Sequence, residues 1–148
     1  MGEERIMTNE RIRPDDWPKR LHEYLAEASG KGFRWGIHDC VHFAAGWLEC
    51  LGYADVLAGL PGWTTRQTAK QTIRELGGFE VAVSDRLTAL GCAEVPPLMA
   101  QRGDVCVVVA GEYERQMLGV VDGSGVACLL RQGIAHVPES QISKAWRV

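Results

Sequence analysis

A cysteine at the start of a helix can be built into a nucleophile, and residues 33–48 place one there. In Phe33-Arg34-Trp35-Gly36-Ile37-His38-Asp39-Cys40 the glycine supplies a turn and Asp39 can cap a helix. Cys40 then opens a segment whose apolar residues recur at Phe43, Ala44, Trp47, Leu48 and Leu51. Offsets of three and four make one continuous helix face directed at a core, and Cys40 stands at its beginning. There the sulfur meets unpaired backbone N–H groups and the positive end of the helix dipole, both of which favour thiolate over thiol. The plainer reading is that a cysteine on an apolar helix face is a small core residue, since free cysteine is among the most buried residue types. The Trp-Gly turn and the aspartate immediately before Cys40 favour the chemical reading.

The side chains around it limit that chemistry. His38, Cys40 and His42 alternate as metal ligands can. However, the two histidines share a helix face only if the helix begins before Asp39, and no CxxC pair completes a zinc set. No metal and no cofactor is expected. His42 follows Cys40 by two positions, about 200° around a helix, so its imidazole does not reach back to the sulfur and reads as a surface or partner contact. Cys50 lies at the helix end, where no dipole activates it.

The elements that must position Cys40 are those of one soluble domain. The 148 residues are 46% hydrophobic and 24% charged, with a net charge of −3. No basic cluster exists to track a phosphate backbone, so nucleic acid is not an expected partner. No apolar run approaches the roughly 18 residues of a membrane-spanning helix, and Met1-Gly2-Glu3-Glu4-Arg5 lacks a signal peptide's layout; synthesis in the cytosol without membrane insertion is expected. Five cysteines at irregular spacing argue against a disulfide framework.

In chain order, residues 1–13 read as a charged N-terminal arm and 14–148 as a single domain. Pro14-Asp15-Asp16 caps a first helix with Trp17, Leu21, Tyr24, Leu25 and Ala28 on one face, ended by Gly30. The Cys40 helix ends at Gly52. After a loop, Thr64 or Thr65 caps a third helix that stops at Gly77-Gly78 and carries a solvated basic stripe, Arg66, Lys70 and Arg74. A short helical turn is expected over 84–90. Beyond Pro96-Pro97 the period changes: 105–110, 116–121, 126–130 and 134–137 read as four strands of an antiparallel meander, with a hairpin turn at Asp122-Gly123-Ser124-Gly125. Residues 138–146 read as a capped helical turn with Ile142 and Trp146 packed inward. Helices first and an antiparallel sheet after make an α+β arrangement.

Trp35-Gly36 followed by Asp39-Cys40 and Phe43-Ala44-Ala45, then Arg102-Gly103-Asp104-Val105 and Leu118-Gly119-Val120-Val121-Asp122-Gly123, resembles the NlpC-type branch of papain-like cell-wall peptidases. The chain is still more similar to a small domain of that superfamily carried by tailed phages and prophages, whose members also tend to finish in an Ala-Trp-Arg like Ala145-Trp146-Arg147. The resemblance implies a papain-like fold, with the cysteine on a central helix packed against a sheet of about four to five strands. It also implies a mechanism in which Cys40 attacks an amide carbonyl and a histidine on the facing strand takes its proton. That histidine precedes the strand corresponding to Leu118-Gly119-Val120-Val121, and here the place is held by Met117. A thioether carries no exchangeable proton. His136, the one histidine in the sheet half, would have to reach Cys40 from the strand after the expected one, and reads rather as an edge or interface residue. The expected function is therefore a structural or docking component of a phage or prophage tail tip with a dismantled peptidase site. Such a component would be made in the bacterial cytoplasm and assembled into the virion tail against hub and fibre proteins. Five tryptophans are available for those interfaces. The alternative is an active cysteine peptidase or amidase on murein peptides.

Overall fold

The computed structural model describes residues 13–111 and 115–148; most of the N-terminal arm read from the sequence, residues 1–12, lies outside them. Among the described residues four α-helices come first: α1 (Trp17–Ser29), α2 (Cys40–Cys50), α3 (Arg66–Glu75) and α4 (Phe79–Ala89). Six strands follow: β1 (Ala93–Val95), β2 (Val105–Ala110), β3 (Arg115–Asp122), β4 (Gly125–Leu130), β5 (Gly133–Val137) and β6 (Ile142–Arg147). All pair antiparallel, in the spatial order β1-β6-β2-β3-β4-β5. The architecture is α+β. No helix among the described residues is long and apolar enough to cross a membrane.

The meander β2 to β5 forms where the β-branched runs and the Gly123-Ser124 hairpin require it. Three expectations are corrected. Residues 79–89 form a full helix rather than a short turn over 84–90. Gly77 and Gly78, both at positive φ, end α3 and restart the chain at once, and the spacing of the buried Val83 and Leu87 carries the new helix. Residues 142–147 form a strand rather than part of a helical turn; only Glu139–Gln141 makes one turn of 3₁₀ helix. β6 bulges opposite Val107 and Val108, where Ser143 is the extra residue, and its hydroxyl donates to Glu80 Oε2 at 2.8 Å. The bulge puts Ile142 and Trp146 on opposite faces, where residues four apart in a regular strand would share one. The third correction is the sheet's size, six strands rather than four or five, because the three-residue β1 carries no alternation.

The sheet is buried on both faces. One face carries Val105, Val107, Leu118, Val120, Ala127, Leu129 and Trp146 and packs with the helices around Phe43, Trp47 and Leu48. The other holds a second core of Cys106, Val108, Val121, Val126, Cys128 and Ala145. Val95 of β1 and Val137 of β5, from the two edge strands, both pack into that second core, so the sheet is curled around it.

Two motifs that are far apart in sequence meet at one carboxylate. Asp104 is fully buried and accepts hydrogen bonds from Arg13 Nη2 (2.7 Å), Arg147 Nε (3.0 Å) and the Gln101 amide (2.8 Å). Arg13 also donates to the Val148 and Arg102 carbonyls and stacks over Trp17 at 4.5 Å. Arg13, placed at the end of the arm by the sequence reading, is thus bound into the domain. Four of the five tryptophans pack inward, and Trp35 meets the Phe33 ring edge to face. Trp47, Trp63 and Trp146 are buried, and Trp17 and Trp35 are half-buried with part of each ring at the surface.

Candidate functional site

Asp39 organises the segment before α2. Its backbone is extended and its side chain caps the helix: Oδ1 accepts from the His42 amide at 2.9 Å and stands 2.8 Å from His42 Nδ1. Oδ2 accepts from the Gly36 amide and from Trp63 Nε1, each at 2.8 Å. Gly36 is at φ +81°, and a Cβ there would stand 1.8 Å from the Trp63 carbonyl oxygen, so only glycine fits this approach of the two loops. The Trp63 ring meets the His42 ring edge to face at 5.4 Å.

Burial alone would raise the Asp39 pKa. The bonds from the His42 side chain, the His42 and Gly36 amides and Trp63 outweigh that and bring it to about 2, below the ordinary 3.8. A carboxyl whose folded pKa is depressed adds stability that is complete above its unfolded pKa and lost as pH falls toward the folded one. Stability should therefore drop by about 2 kcal/mol between roughly pH 4 and pH 2. Urea denaturation of the wild type and of Asp39→Asn across that range checks this, because the variant should lack that component of the slope.

Cys40 follows as the first residue of α2. Its surroundings oppose the thiolate expected from its helix position. Burial is the largest influence and raises the thiol's pKa; the Leu118 amide pulls it down, and the neighbouring Asp39 charge pushes it up again. The Cys40 and Val41 amides at the helix start lower it only in part, and it stands at about 11. The helix dipole is present, but loss of water from the sulfur is the stronger effect.

The expected triad positions are not brought together. Leu118, on the helix-facing side of β3, is the residue whose amide meets the Cys40 sulfur. Met117, taken from motif order as the base position, packs into the second core on the opposite face of the sheet. Each remaining imidazole is held or placed elsewhere. His38 Nε2 is 3.2 Å from the Ala28 carbonyl, His42 is bonded to Asp39, and His22 is exposed. His136 lies exposed on the edge strand β5, with Nε2 at 3.0 Å from Asp122 Oδ2. Among the described residues, no three His, Cys, Asp or Glu side chains gather as a metal site would need.

Residues 12–148 match the family described as Domain of unknown function (DUF6950). The chain belongs to that family. It matches no curated protein and no solved structure. The DUF6950 match spans both halves of the Asp104 cluster, Arg13 and Arg147, as well as the Asp39–Cys40 segment. Within the DUF6950 domain, Trp63 and Leu118 are the site contacts that sequence reasoning missed. Trp63 is 24 residues from Asp39 in a loop without periodicity, and nothing local marks it. His42 could have been found, because an N-cap aspartate with a histidine three positions on has the spacing of a reciprocal cap.

Proposed function

We propose that this DUF6950 domain is a papain-like fold of NlpC type kept as a structural, docking component of a phage or prophage tail tip. In this reading it is assembled into the virion tail against hub and fibre proteins, and its cysteine site no longer cuts. The phage setting rests on the resemblance of the Trp35-Gly36, Asp39-Cys40, Arg102-Gly103-Asp104 and Ala145-Trp146-Arg147 segments. The loss of catalysis rests on one observation: the Cys40 sulfur is packed against the Leu118 amide with its pKa raised to about 11, while the imidazoles of His38, His42 and His136 are engaged by other groups. A nucleophile without a base in hydrogen-bond reach forgoes roughly two to four powers of ten in rate.

At neutral pH a thiol of this kind is ionised to about one part in ten thousand. Iodoacetamide applied to the native protein from pH 5 to 9 should label the half-buried Cys40 at least about tenfold more slowly than an ordinary free thiol throughout, and at the ordinary rate only after unfolding. Labelling that titrates in below the ordinary thiol range, or release of amines from murein peptides by the purified protein, would sink the docking reading in favour of an active peptidase or amidase. Cys40→Ala should cost about 1 kcal/mol of packing and leave infectivity unchanged in particles that carry the protein. Lost infectivity with the variant folded and incorporated would count against it.

A further inference from the structure

Helices α2, α3 and α4, the loop after α2 and the inner face of β2 and β3 surround a cavity of about 420 Å³ open on one side. Its volume falls within the roughly 300–1,000 Å³ of small-molecule sites. The cavity exists because the facing helices put small side chains toward one another: Ala44 and Ala45 from α2, Ala82 from α4. Leu118, Ile73 and Trp63 complete an apolar wall, and the half-exposed Leu76 forms a lip at the mouth.

The polar groups that line the cavity are few. The Thr72 hydroxyl is spent on the Thr68 carbonyl at 3.0 Å. Asp85 is exposed to water. Arg86 gives one guanidinium N–H to the Ala58 carbonyl at 2.8 Å, which leaves the rest of its five donors for a guest. The stripe Arg66, Lys70 and Arg74 lies on the water-facing side of α3, outside the cavity lining, so Arg86 of α4 is the one cation among the described residues of the lining. A wall this apolar offers water few hydrogen-bond partners, so an apolar guest entering from the open side displaces poorly held water.

We propose that this cavity binds a single aliphatic chain ending in a carboxylate, a fatty acid, with the chain among the alanines of α2 and α4 and the carboxylate on Arg86. If a methylene takes about the room of one liquid water, about 30 Å³, the cavity accepts a chain of about a dozen carbons. Cys40 does not line the cavity, so this site is independent of whether the cysteine reacts.

The test titrates the full chain with dodecanoate, 1-dodecanol and 12-bromododecanoate, the last read by quenching of tryptophan fluorescence, since Trp63 lines the cavity. Saturable binding of one dodecanoate per chain is expected, with a raised melting temperature. Ala44→Leu should fill the space and abolish binding; Ala82→Leu does the same from the opposite wall if the first variant fails to fold. Arg86→Ala should weaken dodecanoate about tenfold and leave dodecanol unchanged. No saturable binding up to about 1 mM, or undiminished binding in a folded cavity-filling variant, overturns the site. Equal loss of acid and alcohol in Arg86→Ala overturns the assignment of the carboxylate.

Discussion

Asp104→Ala should lower the stability of this domain by about 3–5 kcal/mol, measured by urea denaturation at neutral pH, a large fraction of the about 5–15 kcal/mol that holds a typical domain folded. The side chain is fully buried, and it faces Arg13, whose own side chain is only 12% exposed. Removing the carboxylate leaves that guanidinium in low dielectric with its two carbonyl partners but no counter-charge. Burial already draws the Arg13 pKa down, with Asp104 as the main opposing influence. The second ion pair, to Arg147, contributes less, because that side chain is 38% exposed and water screens it. Asp104→Asn keeps the shape and one acceptor and should recover part of the loss. A double variant removing Arg13 as well should lose less than the sum of the two single changes, since the uncompensated charge goes with it. A cost below about 1 kcal/mol for Asp104→Ala would place this cluster among ordinary surface pairs and refute the argument.

Trp47→Ala should be comparably damaging, at about 3–5 kcal/mol. The ring is fully buried at the centre of α2 and packs beside Tyr24 at 6.1 Å between centroids. Its Nε1 donates to the Gly103 carbonyl at 2.9 Å, tying the Cys40 helix to the strand entry that carries Asp104. Trp47→Phe separates the two contributions: most of the packing stays, the carbonyl loses its donor, and a cost of about 1–3 kcal/mol is expected. Thermal melts of both variants, with near-ultraviolet circular dichroism to follow the aromatic core, decide between them. If Trp47→Phe proved as destabilising as Trp47→Ala, the hydrogen bond and not the packing would be the dominant part.

The first three helices could be read from residue types because their ends are marked by local chemistry. Asp39 and Thr65 cap by side chain, Gly30 follows the last turn of α1, and the buried positions recur at three and four. The start of the fourth is hidden because a double glycine resembles a loop, although it can separate two helices by itself. The spacing of four between Ile142 and Trp146 fits a helix as well as a strand, and nothing local in the sequence marks the bulge at Ser143. Met117 is a different case. Residues 117–121 are apolar throughout, since the sheet is covered on both faces, so no alternation in the sequence states which residue faces the helices. Only the pairing does: Leu118 sits opposite Val107 in the first core, Met117 opposite Val108 in the second. The environment of Cys40 was similarly hidden. Helix position is local and visible in the sequence, whereas desolvation by a strand almost eighty residues away is not.

The position of β6 also bears on how the chain is made. It is the last of the six described strands to leave the ribosome, yet it lies between β1 and β2, and both depend on it for a neighbour. During translation α1 to α4 and the β2 to β5 ribbon can assemble while one border of β2 stays unpaired and open to other nascent chains. The sheet closes only when residues 142–147 emerge and slot in, bringing Arg147 to Asp104 in the same step.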